Sequence, residues 1–297
     1  MTVLKTYKYR LYPTKRQIRL LHKQLEECRW LWNTLLAERK QAWEERQESM
    51  SYFEQKKELP ILKVDVRPSL ATVNAQVVQD VVLRLQNAFK AFFRRLKAGE
   101  TPGYPRFKGK GRYASLTFPQ MPDCCRITAN GKRLWASKNG DIKIIYHRPF
   151  EGIPKMATIR RTATGKWFVA IACEWEPTPL PPTQQEVGID VGLFTFATLS
   201  DTDAEPIPNP RFFRAEEKAL AKAQRKHQLA LDAHKAQRAE ITNQVKHDHP
   251  DLSDDQVWEA VRHNAEEQAD WGHRQKRRKV VARIHERITW RRDDFTH

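Results

Sequence analysis

The sequence is short of cysteine, of long apolar runs and, in its first half, of acid. Its four cysteines are Cys28, Cys124, Cys125 and Cys173. Adjacent cysteines cannot close an ordinary disulfide, and no pair has zinc-knuckle spacing. Packing thiols in a reducing cytoplasm are therefore expected, and no zinc site. No apolar stretch approaches the roughly 20 residues of a membrane helix. The opening MTVLKTYKYRLYP lacks the apolar core of a secretory signal. Of the later histidines, only His247 and His249 lie close together, beside Pro250, and no cysteine accompanies them. They read as surface residues rather than metal ligands. Acid is what the first half lacks most. Residues 1–150 hold 30 Lys and Arg against 13 Asp and Glu, whereas residues 151–297 hold 23 of each. The formal net charge of +17 thus sits wholly in the first half. Residues 101–150 are the densest block, with ten basic and two acidic residues. A solvated surface would intersperse the signs. A segregated positive field attracts polyanions, and nucleic acid is the expected partner.

What is present suits a globular chain of about two domains. Hydrophobic residues make up 40% of the 297, with nine Trp. Residues 2–12 alternate and read as a strand ending at Pro13. Thr14 and Gln17 form a capping box, and Ile18, Leu21, Leu25, Cys28, Trp32 and Leu35 stripe a helix to about Gln47. Trp30 and Trp43 lie off that stripe and are read as packing against a second helix. Residues 48–68 read as a polar connection. A second helix then runs from a Ser69 N-cap to a C-terminal Gly99. Two long helices joined by about twenty residues make a helical hairpin, not a DNA-reading helix-turn-helix with its three- or four-residue turn. Strands are expected at Ser115–Phe118, Asp141–His147, Lys155–Arg161 and Lys166–Glu174, forming a small barrel that the first strand joins. The proline run 177–182 is the expected boundary. Beyond it come strands at Glu186–Asp190 and Leu193–Ser200. Helices then follow at Ala215–Lys246, after Ser253 and from Arg274, with no further strand.

The segment from Gly103 to Tyr113 interleaves four cations, three aromatics and three glycines. Cations neutralise phosphates, aromatic faces stack unpaired bases, and glycines let backbone approach a polyanion. Tyr104, Arg106, Phe107, Lys108, Lys110 and Arg112 are the candidate nucleic-acid contacts. Arg160, Arg161, Lys166 and Trp167 on the adjoining hairpin are candidates to extend that surface.

Several segments, in this order and spacing, resemble the TnpB/OrfB family of insertion-sequence proteins. They are Tyr7-Lys-Tyr-Arg-Leu-Tyr-Pro-Thr14, Phe89-Lys-Ala-Phe-Phe-Arg-Arg-Leu-Lys97 and Gly103-Tyr-Pro-Arg-Phe-Lys108. Val187-Gly-Ile-Asp-Val-Gly192, Phe196-Ala-Thr-Leu-Ser-Asp201 and Asn209-Pro-Arg-Phe-Phe213 continue the match, with a weaker one at Lys276–Ile288. Members of that family are RNA-guided DNA endonucleases with a RuvC-like site. The resemblance implies an α+β multidomain fold. It would comprise a small β-barrel wedge domain (1–13 and 101–176), an inserted helical recognition lobe (14–100), a linker (177–185) and a partial RNase H-like (RuvC) α/β domain (186–297). It implies Asp190 as the first catalytic, metal-binding carboxylate, with Mg2+ or Mn2+ as cofactor in an intact site. Asp201 and Asp203 read as turn residues. The family's later Glu and Asp have no matching positions, so a C-terminally truncated member, inactive alone, is the expectation. Guide RNA and double-stranded target DNA are the implied partners, in a prokaryotic cytoplasm near the nucleoid, with no membrane and no small-molecule substrate. Two rivals are a nuclease-silent DNA- or RNA-binding regulator on the same scaffold and a transposition accessory that binds element ends without RNA.

Overall fold

A computed structural model describes residues 2–179, 181, 186–201, 203–254, 256–258, 260–261 and 270–296. The chain divides into two units, Met1–Pro179 and Leu180–His297.

The first unit opens with β1 (Val3–Tyr12), whose Tyr7, Tyr9 and Leu11 are buried on one face. Thr14 and Gln17 close the expected capping box of α1 (Lys15–Arg46). Gln17 also donates from Nε2 to the carbonyls of Asn139 and Asp141, at 3.3 and 2.8 Å, fixing the helix start to the sheet. Residues 48–68 are not merely polar connection. Ser51 and Glu54 form a second capping box that starts α2 (Tyr52–Ile61), followed by a π turn at Leu62–Val66 and a 3-10 turn at Pro68–Thr72. Ser69 therefore lies inside that 3-10 turn, and Asn74 caps α3 (Ala75–Lys97) instead. Gly99, at φ 69°, ends α3 as expected. Its N–H donates to Leu96 and that of Glu100 to Arg95, the paired bonds of a Schellman cap. Trp30 packs against the core, with Arg67 over its ring at 5.2 Å. Trp43 does not pack as expected, because its side of α1 stays exposed.

The sheet comprises β1, β2 (Ser115–Phe118), β3 (Cys125–Ile127), β4 (Arg133–Ala136), β5 (Gly140–Ile145), β6 (Ile153–Arg161) and β7 (Trp167–Trp175). Strands β3 and β4 are additions to the sequence expectation. They are too short, and too broken by Asn130 and Gly131, to show a period. The order is β2-β6-β7-β1-β5-β4-β3, all pairs antiparallel. Its two outermost strands, β2 and β3, are neighbours in sequence. A flat sheet of this width would part them by about 29 Å at ~4.8 Å per strand. The connection 119–124 reaches only about 25 Å when fully extended. It is also bent, since Cys124 N–H donates to the Gln120 carbonyl. The sheet must curl, and it forms a nearly closed barrel with the helices inserted between β1 and β2. One apolar core runs through both. Leu21, Leu25, Leu35, Val81 and Leu85 from the helices join Leu116, Ile142, Ile159, Val169 and Ile171 from the strands. All four cysteines are buried free thiols.

The second unit has a three-stranded sheet, ordered β10-β9-β8, from β8 (Ile189–Asp190), β9 (Thr195–Leu199) and β10 (Ile207–Pro208). The two-residue β10 was not expected, being too brief for any pattern. The helices that follow include α4 (Phe212–Asp248) and α5 (Asp270–Phe295). Leu220 and Ala223 of α4 pack with Ile284 and Ile288 of α5. His234 meets Arg274 at 3.4 Å, so the two helices run antiparallel. The helix capped by Ser253 carries Val257 and Val261, which pack on Val245. Asp190 thus stands at the end of the first strand, ahead of a helical pair.

Candidate nucleic-acid interface and the Asp190 strand

The segment 103–113 is pinned to the helical lobe by its backbone. Trp32 Nε1 donates to the Arg106 carbonyl at 3.1 Å. Arg29 and Asn33 donate to the Lys108 carbonyl, and the Lys108 N–H returns a bond to Asn33 Oδ1 at 2.8 Å. The Gly111 N–H donates to Glu26 Oε1 at 3.2 Å. Gly111 has φ 71°, where a side chain would be strained, so glycine here serves the turn. Trp32 is the residue that sequence reasoning underrated. Its place in the apolar stripe hid a polar N–H aimed at this loop.

The expected contacts therefore separate. Arg106, Lys110 and Arg112 remain exposed. Lys108 does not present a free cation, because its ammonium lies 4.4 Å over the Trp32 ring. Burial pushes the Lys108 pKa down, and nearby Arg84 adds to the effect. Phe107 is exposed. Tyr104 packs edge-on against Phe89 and Phe92 of α3 while keeping one side open. Tyr113 is buried, its hydroxyl beside Arg84, so it belongs to the core and not to a stacking surface. On the β6–β7 hairpin, Arg160 is exposed, but Arg161 points the other way and meets His22 of α1 at 2.9 Å. Lys166 is half-buried, and its N–H donates to Thr162 Oγ1. Trp167 is a core residue, because strand alternation turns it inward with Val169 and Ile171.

Asp190 pairs across to Thr198, and its side chain is open to solvent. The pair is locked one step earlier, where the Gly188 N–H donates to Ser200 Oγ and the Ser200 N–H to the Gly188 carbonyl. Asn209 was not singled out by sequence reasoning beyond its motif. Its Nδ2 donates to the Leu193 carbonyl and its Oδ1 accepts from the Arg211 N–H, tying the turn after Asp190 to the start of α4. Asp201 accepts from the Asp203 N–H, the local bond of a turn residue. Among the described residues, no three His, Cys, Asp or Glu side chains gather as a metal-holding group. Glu216, also unforeseen, is a buried carboxylate held by Arg287 at 3.0 Å and Arg291 at 3.3 Å. It fastens α4 to α5.

These features define a two-unit protein with a cationic first unit and an open strand ending in a carboxylate. Residues 170–297 match a family model for OrfB proteins of the IS605 type, described as "Probable transposase". Residues 1–48 match the companion model, described as "Helix-turn-helix domain", although that span is here β1 and the single helix α1. A Streptomyces pristinaespiralis protein, "Putative RNA-guided DNA endonuclease", is 31% identical over 99% of this chain and 63% of its own. "Putative RNA-guided DNA endonuclease InsQ" of Escherichia coli K12 is 29% identical over 76% of this chain and 54% of its own. The chain therefore spans a little over half the length of these relatives. A cryo-EM structure of the Cas12f1-sgRNA-target DNA complex aligns over 96% of this chain and 83% of that one. Its TM-score is 0.36 at 12% identity, too low to bear on the argument. The chain belongs to the TnpB/OrfB family. No helix among the described residues is long and apolar enough to cross a membrane.

Proposed function

We propose that this chain binds a guide RNA and, through it, a double-stranded DNA target, as the names of its relatives suggest for them. The observation that carries the reading is the pinned loop 103–113. Its backbone is held by Trp32, Asn33 and Glu26, while Arg106, Lys110 and Arg112 face solvent. Cations on a fixed backbone lose less entropy on meeting phosphates than cations on a flexible one. In this reading residues 186–297 are part of a RuvC-like domain, and Asp190 is its first metal-binding carboxylate. Two-metal cleavage holds its ions about 4 Å apart between several carboxylates. The described residues supply only Asp190 to such a site, so the donor set does not fit two ions. The regulator reading, binding without cleavage, follows from the same observation.

Binding should weaken steeply with salt, because phosphate contacts release counterions. Replacing Arg106, Lys110 and Arg112 by Ala should reduce the slope of log K against log salt by about 2, at ~0.7 per contact on single strands. A filter-binding titration with an unchanged slope would remove the loop from the interface.

A further inference from the structure

We infer that the outward face of the β1–β5–β6–β7 region is a second binding platform, for single-stranded nucleic acid, separate from the 103–113 loop. This rests on the nucleic-acid reading above and adds a site to it. Registration across the strands places the residues in rows. Arg160 of β6, Phe168 of β7, Arg10 of β1 and Ile145 of β5 stand side by side. Two residues along, Tyr12 of β1, Lys143 of β5 and Arg133 of β4 form the next row. Two residues the other way, Lys8 lies beside Ala170. These positions alternate with the buried Tyr9, Leu11, Ile144, Ile159 and Val169, so the outward direction is fixed by the core.

The face has a built chemistry. Arg10 donates from Nη1 to the Trp167 carbonyl at 3.0 Å and lies 4.9 Å from the Phe168 ring and 5.0 Å from Tyr12. Lys8 lies 5.0 Å over the same Phe168 ring. At the far edge Arg126 covers Trp135 at 4.2 Å. A guanidinium held beside an aromatic ring offers its remaining N–H groups to phosphate, while the ring face can stack a base. Stacking of this kind tolerates any base sequence. Charge points to the same occupant. Some cations of this unit are matched, as in Lys5–Glu151, Arg67–Glu27, Arg84–Asp80 and Lys155–Glu174. Among the described residues, no acid lies within 4.0 Å of Lys8, Arg10, Arg133, Lys143 or Arg160. Of the carboxylates on this face, Asp141 lies opposite Trp135 at the β4–β5 edge and Glu174 lies further along β7 with Lys155, and neither pairs with these cations. Like charges opposite one another, as Arg133 and Lys143 are, cost stability in a sheet. A polyanion laid across the rows removes that cost. Its chain of phosphates fits cations spaced over neighbouring strands better than a protein surface with scattered acids would.

The test uses the whole chain and an oligouridine about 20 nucleotides long, with its deoxythymidine counterpart as the second arm. Lys8→Gln, Arg133→Gln, Lys143→Gln and Arg160→Gln together should lower the salt slope by about 3. They alter only exposed side chains. Substituting 5-iodouracil into either probe and irradiating the unmodified chain should place crosslinks on Phe168, Tyr12 or Trp135. Crosslinks confined to other segments, or a slope that only the loop variant changes, would overturn the platform and leave the proposed function standing. Failure of the unmodified chain to bind either probe would overturn both. Crosslinking with RNA alone or with DNA alone would support the platform and identify which strand it serves.

Discussion

Asp190 owes its position to hydrogen bonds made by its neighbours rather than by its own side chain. Gly188 and Ser200 lock the strand pair before it, and Asn209 holds the turn after it. The carboxylate is left open to solvent. If it is the first ligand of a nuclease site, the 297-residue chain with guide RNA and Mg2+ should leave a matched DNA target intact. The Streptomyces relative is longer than this chain, which spans 63% of it. Fusing the relative's remaining length to this chain should produce guide-dependent cleavage, and Asp190→Ala should return it to background while leaving RNA affinity unchanged. Cleavage by the chain alone, lost on Asp190→Ala, would mean that further carboxylates within it take part. Cleavage by the fusion that survives Asp190→Ala would remove the assigned role.

Elements in the helical lobe are joined by polar groups that periodicity does not display. Gln55 of α2 is fully buried. It donates to the Leu35 carbonyl at 2.9 Å and to Glu38 at 3.1 Å, and accepts from Arg39 Nε at 2.8 Å. Burial, together with nearby Glu58, pushes the Glu38 pKa above its ordinary 4.5, although Gln55 and Arg39 oppose the shift. A carboxyl whose pKa rises on folding favours the protonated native state. Its cost is absent below the ordinary pKa and complete once the pH passes the folded value. Glu38→Gln should therefore raise the unfolding midpoint at pH 7, by on the order of 2 °C, and match the parent near pH 4. A variant equally stabilised at both pH values would show that desolvation is not the cause. The lobe also shows what the sequence could convey. The α1 stripe, the Thr14–Gln17 box and the Gly99 cap were legible because each is a local pattern with a fixed spacing. The box at Ser51 and Glu54 has the same spacing, yet α2 behind it has too weak an apolar stripe to stand out from polar connection. The surroundings of Lys108 and Tyr113 were hidden for a different reason. Composition shows that a cation or a ring is present, but not that Trp32 covers the one and Arg84 the other. The sheet rows around Arg10 were hidden because register joins residues some 150 positions apart.

At the scale of the whole chain, the two units differ in how much apolar surface each closes around. In the first, helices and barrel share one continuous core, from Tyr7 through Leu85 to Cys173. In the second, Leu220, Ala223, Ile284 and Ile288 form one small cluster and Val245, Val257 and Val261 another. Leu193 and Phe194 of the short sheet's turn are 86% and 87% exposed. The α4–α5 seam relies on Glu216 with its two arginines, and a buried carboxylate repays its desolvation poorly. Most helical stability comes from packing an apolar face, not from the helix itself. Residues 1–179 made alone should therefore unfold in a single cooperative transition. Residues 186–297 made alone should show helical circular dichroism without a cooperative melt, and should be cut within α4 and α5 by a protease of broad specificity. Breaking the seam should matter little in that fragment, so Ile284→Ala should leave its digestion rate unchanged, whereas Leu85→Ala in the first unit should cost about 2–5 kcal/mol. A sharp melt of residues 186–297, lost on Ile284→Ala, would show instead that the paired helices form a folded unit from this seam alone.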